Sequence, residues 1–239
     1  MRPEELTSVA LVGLERQASA RQAAIDLLDL YTRLSADNAH ILGEVLSGQA
    51  PQVWTHYPAD DACDDLNGYQ WFYHSHSQSD RPQAAEHGHF HVFARKAALS
   101  RWLNPTEEKA WHTKLRVKPT RATTRHLFCL GLDAKGVPNT LFTVNSWVTG
   151  DAMASAPGTL RLIEHLNLAT GYPGIDRLIA SAAVLCRDEL AGLMEVRDRR
   201  LERMSAVGPG VLDDGPLEIL SETKLDLDAI FGRLFEPSP

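Results

Sequence analysis

The chain has 239 residues, 44% of them apolar and 23% charged, an ordinary globular mix with enough length to bury a substantial core. A net charge of −7 argues against a general nucleic-acid binder, and no apolar run approaches the roughly 18 residues needed to cross a bilayer. The opening MRPEELTSVALVGLERQ carries early acids and no sustained apolar stretch, a poor signal peptide, so the expected location is the cytoplasm with no membrane partner.

Residues 4–48 read as helix, with a break expected near Ser19 or between Ser35 and Asp37. Ile25, Leu28 and Tyr31, then Ile41, Leu42 and Val45, recur there at helical spacing. Gly48 to Pro51 ends the helix, and QVWTHYP is a short extended piece before an acidic loop at residues 59–67, ADDACDDLN. The aromatic-rich Tyr69–His76 (YQWFYHSH) predicts a strand, SQSDRPQAA a polar turn, and Glu86–Arg95 (EHGHFHVFAR) a second strand. Asn104-Pro105 followed by Glu107 and Glu108 marks a helix start. HLFCLGLD, the turn AKGVP and NTLFTVNSWVTGD predict a second hairpin.

After Pro157 the pattern is helical again. Thr159–Leu168 is short, Gly171 to Gly174 breaks it, and Ile175–Met204 is long and amphipathic, a candidate homodimer contact. A flexible connection between Gly208 and Pro216 leads to a last helix near Leu225–Phe235. The class is therefore α+β: N-terminal helices, a central antiparallel sheet of four to five strands, and C-terminal helices. A single domain over residues 1–239 is expected, with a helical region at 4–48, a sheet core at 52–151 and helices at 158–235.

Five of the ten histidines fall between His74 and His91. Side chains alternate faces along a strand, so His74 and His76 share one face, and His87, His89 and His91 share one face of the next strand. If His76 lies opposite His87, then His74 lies opposite His89 and the imidazoles converge; a slip of one residue points them apart. Converging neutral imidazoles suit a divalent metal, Zn or non-haem Fe, and an imidazole-only set with an open position suits a catalytic ion. The candidate ligands are His74, His76, His87, His89 and His91. Glu86, at the start of its strand, is a candidate acid/base or added ligand, and Gly88 suggests a bulge or a close backbone approach.

HGHFHVF resembles the histidine-triad signature, His-φ-His-φ-His-φ-φ with φ apolar, with Gly88 standing in the first apolar position. That resemblance implies a nucleotide hydrolase or transferase with His89 as nucleophile on an α-phosphate and His87 and His91 in support. The larger stretch from HYPADD through GYQWFYHSH, EHGHFHVFAR and LDAKGVPNTLFTVNSWVTGD, about Trp54 to Asp151, resembles an uncharacterised bacterial family, which implies a fold unit and no activity.

Other signals are thinner. Arg95 to Arg125 holds nine Lys/Arg against two acids, a local +7 within an acidic chain. This is either solvated surface or a rim for an anionic substrate, with Arg95 as a candidate contact. Asn145 and Trp147 share a face of the predicted last strand and are candidates to line the pocket. His126 begins a strand and is a possible further ligand or outer-shell group, whereas Cys63, Cys129 and Cys186 lie far apart without a C-x-x-C pair and read as buried thiols. The acidic loop is an alternative source of carboxylate ligands. Glu86 lies ten residues after His76, too far for the compact H-x-H-x(3,4)-E pattern of cupins. No dinucleotide, P-loop or nucleophile-elbow motif is present, so no nucleotide cofactor is expected. The expectation is thus a metal-dependent hydrolase or oxygenase acting on a small, anionic substrate, against a triad-like phosphoryl or nucleotidyl enzyme, or a non-catalytic metal-binding or sensing protein.

Overall fold

The computed structural model describes residues 3–77, 86–117 and 122–235, with side chains from residue 12 onward. The expected polar turn after the first histidine strand lies, over residues 78–85, outside the described residues. Among the described residues, six strands form one antiparallel sheet in sequential order: β1 (Tyr57–Asp64), β2 (Tyr69–Ser75), β3 (Gly88–Ala94), β4 (Arg125–Leu132), β5 (Pro138–Val144) and β6 (Ile219–Lys224). Around it run α1 (Pro3–Ala36), α2 (Gly43–Leu46), α3 (Lys96–Trp102), α4 (Pro105–Lys114), α5 (Ser146–Thr149), α6 (Ala156–Glu164), α7 (Pro173–Leu185), α8 (Arg187–Val207) and α9 (Leu227–Phe235). This is the α+β arrangement expected, with N-terminal helix, central sheet and C-terminal helices.

Period-2 alternation divides the sheet into two chemically different faces. One face carries Tyr69, Trp71, Tyr73, Phe90 and Val92, all buried with Leu27 of α1, Leu162 of α6 and Leu178 of α7 in the main core. Polar tips on these aromatics find partners in the helical layer: Tyr69 Oη donates to the Leu162 carbonyl at 2.9 Å, and Trp71 Nε1 donates to Asp176 Oδ1 at 2.8 Å. The other face carries the histidines. Both faces of β3 are buried along its whole length, so its near-continuous apolar reading reflects cover on two sides.

Several local expectations are corrected. The first helix runs unbroken from Pro3 to Ala36, and its buried stripe is Ala23, Ala24, Leu27 and Leu30, while Ile25 and Leu28 are exposed. Packing against α7 selects the neighbouring stripe of the same 3.6-residue period. The long C-terminal helix divides at Cys186 into α7 and α8. Leu178, Ile179 and Ala182 pack into the main core of this chain, and Val184 and Val196 are exposed. The acidic loop is largely strand β1, and a strand, β6, precedes the last helix.

Gly88 begins β3, where the neighbouring strand comes very close. A Cβ there would overlap the Tyr73 hydroxyl and lie 2.8 Å from the His74 carbonyl oxygen. The close approach expected from the sequence is thus supplied by β2 itself. Gly88→Ala should destabilise the fold by about 1–3 kcal/mol, because a buried tyrosine and a strand carbonyl must both give way. Thermal denaturation measures it; an unchanged Tm would show that the hairpin end is looser than this packing implies.

Candidate metal centre

The β2–β3 register pairs His74 with His89 and Ser75 with Gly88. This is the pairing that places His74, His76, His89 and His91 on one face. The Nε2 atoms of three of them meet: His74 to His89 at 2.8 Å, His89 to His91 at 3.1 Å, and His91 to His74 at 3.3 Å. All three residues are buried, at 8%, 2% and 2% exposure, and the three together form a group able to hold a metal ion. Nitrogens sharing one ion at about 2.0–2.1 Å lie about 2.8 Å apart at right angles and about 3.4 Å apart at tetrahedral angles. The observed triangle falls in that interval.

The triangle is poorly explained by hydrogen bonding alone. A neutral imidazole nitrogen is either an N–H donor or a lone-pair acceptor. With three such atoms in mutual contact, two must play the same role, and one edge sets proton against proton or lone pair against lone pair. A cation removes the conflict by taking three lone pairs at once. Burial, reinforced by His89, His126, His74 and His56 nearby, holds the His91 pKa well below the usual imidazole value, which keeps it neutral.

The surroundings are aromatic and close. Phe72 stacks on His91 with centroids 4.8 Å apart, and Phe142 meets His89 edge-on at 4.8 Å. His76 lies against the cluster, stacked on His89 at 5.1 Å and edge-on to His74 at 4.7 Å. The exposed Trp54 packs edge-on to His76 at 4.6 Å. His56, which the sequence left without a role, stacks on Phe72 at 3.7 Å and bonds Asp61 through Nδ1 at 3.1 Å. Glu86 is folded inward: its side chain is 2% exposed, and Oε1 lies 4.0 Å from His89 Nδ1. It sits over Gly131, where a Cβ would come within 2.9 Å of its own Cβ.

A second group adjoins the first. His91 Nδ1 lies 3.2 Å from His126 Nε2 and 3.3 Å from Cys129 Sγ, and Cys129 Sγ lies 3.4 Å from His126 Nε2. These too form a group able to hold a metal. His126 and Cys129 are three residues apart on β4 and would ordinarily face opposite ways. A register shift between Val92 and Phe93 pairs Phe93 with His126 and His91 with Cys129, and this bulge brings both side chains to the histidine face. Burial, with the Arg197 guanidinium beyond it, pushes the His126 pKa down to about 3. The backbone N–H of His126 donates to Asp151, whose own carboxyl is pushed up by burial.

The other candidates have partners of their own. His87 is exposed, one residue before β3, and its backbone N–H donates to the Leu132 carbonyl. Arg95 precedes α3 and is paired with Asp65 of the β1–β2 turn. Lys114 is paired with Glu202, Arg125 donates to the Ala122 and Thr124 carbonyls, and Lys96, Arg101, Lys109 and Arg116 are exposed on or beside α3 and α4. Lys118 and Arg121 lie outside the described residues. Asn145 and Trp147 do not share a strand face, because β5 ends at Val144. Asn145 instead caps α5, accepting from the Ser146 N–H and donating to the Val211 carbonyl, and Trp147 donates to the Leu217 carbonyl. Of the acidic loop, Asp64 is turned inward to bond Leu66, Asn67 and Ala169, a local turn that fixes the end of β1.

No helix among the described residues is long and apolar enough to cross a membrane. The chain matches, over residues 21–225, the family described as Domain of unknown function (DUF6969). No curated protein and no solved structure matches it.

Proposed function

Because the chain belongs to the DUF6969 family, whose description carries no activity, we propose on geometry that it is a metal-dependent enzyme. Its divalent ion, Zn or non-haem Fe, is bound by Nε2 of His74, His89 and His91. The observation that carries this reading is the buried triangle of three Nε2 atoms 2.8–3.3 Å apart. Three neutral ligands leave the ion its full double charge and at least one open position, the condition for activating water or oxygen and polarising a small anionic substrate. Glu86, with Oε1 4.0 Å from His89 Nδ1, the ring nitrogen that does not face the ion, helps to orient that ring. A nucleophilic His89 would instead need its Nε2 open to a phosphate, but two other ring nitrogens crowd that atom.

An open position is testable without knowing the substrate. Azide added to the cobalt-substituted protein is expected to displace water and shift the visible d–d bands. A spectrum unmoved by azide would mean a closed coordination shell and would favour a structural or sensing role. Glu86→Gln should lower metal affinity by about 10–100-fold, the usual effect of losing an outer-shell partner. Competition against a chromogenic chelator measures it; unchanged affinity would remove Glu86 from the site.

A further inference from the structure

We propose that the protein holds a second metal ion beside the first, ligated by His91 Nδ1, His126 Nε2 and Cys129 Sγ, so that the His91 ring bridges two ions. This rests on the reading of the first triangle as a metal centre. Three donors on two strands meet within 3.2–3.4 Å, and they are 2%, 5% and 0% exposed. An ion with metal–sulfur and metal–nitrogen bonds of about 2.3 and 2.0–2.1 Å holds such atoms about 3.5 Å apart at tetrahedral angles, a few tenths of an ångström from what is seen.

His91 is the decisive residue. Its two ring nitrogens point out of opposite sides of one small ring, each into its own cluster of donors. A neutral imidazole has a lone pair on one nitrogen only; the imidazolate has one on each. Binding of two ions therefore displaces two protons to solvent, one from the His91 ring and one from the Cys129 thiol, with no change of oxidation state. The resulting imidazolate and thiolate, with the Glu86 carboxylate close to His89, supply three negative charges against the four positive charges of two divalent ions. That near-balance is what makes two cations tolerable in a low-dielectric interior.

The two sites differ in chemistry. The first is all-imidazole; the second contains a thiolate, a soft donor suited to Zn or Cu(I). The bulge in β4 gives the pair its geometry, since without it His126 would face away from Cys129. Through the shared ring, the charge of the second ion tunes the first.

The test is a cobalt titration of metal-stripped, untagged protein under anaerobic conditions, read by elemental analysis after desalting and by the near-ultraviolet thiolate-to-cobalt charge-transfer band. Wild type is expected to retain two cobalt ions per chain with that band. Cys129→Ser should retain one ion and lose the band while keeping the visible d–d bands, and His74→Ala should keep the band. One cobalt per chain without the band would overturn the second site and leave the first standing. One cobalt with a band that survives His74→Ala would place the ion on the second group alone and overturn both the bridge and the three-histidine reading. No retained cobalt would overturn both. Should Cys129→Ser fail to fold, the wild-type count and band decide the matter by themselves.

Discussion

Replacing either His74 or His89 by alanine is expected to cost metal binding and activity together, and to similar extents. Each ring supplies one of three lone pairs, and the two Nε2 atoms lie 2.8 Å apart on neighbouring strands. Removing one leaves an ion with two protein nitrogens, short of its preferred shell. The loss in affinity should exceed the about 10–100-fold expected for an outer-shell partner such as Glu86. The comparison also separates two chemistries. A covalent histidine mechanism would make His89 indispensable and His74 dispensable, so a fully metallated, active His74→Ala protein would remove the metal centre and promote the triad-like alternative. Both variants need a matched stability control, since each also deletes a buried aromatic ring.

That control comes from the opposite face of β2. Trp71→Ala is expected to produce a large stability loss of about 3–5 kcal/mol, the range for truncating a buried aromatic. Trp71 is fully buried, meets Phe90 edge-on at 5.4 Å and Tyr172 at 5.3 Å, and donates to Asp176. Asp176 also accepts from the Thr170 N–H and hydroxyl, so the indole is one member of a tie between β2 and the start of α7. For a chain of this length the loss corresponds to a fall of about 6–20 °C in Tm. Trp71→Phe retains most of the ring and should cost only about 1–2 kcal/mol, chiefly the Asp176 hydrogen bond. Its metal content should remain that of wild type, because no ligand lies on that face. A Trp71→Phe protein that folds yet loses metal would show that the helical layer, not the histidine face alone, controls the site.

The parts legible in the sequence were those that signal through side-chain alternation. YQWFYHS and GHFHVFA gave both strands and the sharing of faces, and the crowding of histidines marked one face as chemical. The two edge strands were harder to see for a physical reason. β1 (YPADDACD) and β6 (ILSETK) each present acids or polar groups to solvent, as edge strands do to discourage pairing with other chains, so they lack the apolar alternation of the interior strands. Register was not readable either, because the number of residues between the two strands is compatible with more than one pairing; in the structure His74 pairs with His89, and Gly88 lies against Tyr73 and the His74 carbonyl. In the sequence Cys129 has only the signature of an ordinary buried thiol. Its proximity to His91 depends on cross-strand register, and that of His126 on a bulge, neither of which has a local sequence signature. Asn145 carried a misleading one: its position at the end of an apolar strand suggested a pocket, whereas it starts a helical turn and ties it to Val211.

The most direct test of the metal centre is elemental analysis of untagged protein, purified without chelator and dialysed against metal-free buffer, because a polyhistidine tag would supply its own ions. The three-histidine centre predicts at least one transition-metal ion retained per chain, and about one ion fewer per chain in His89→Ala of matched foldedness. Wild-type protein that emerges metal-free and retains no Zn, Fe(II) or Co(II) after reconstitution would contradict it.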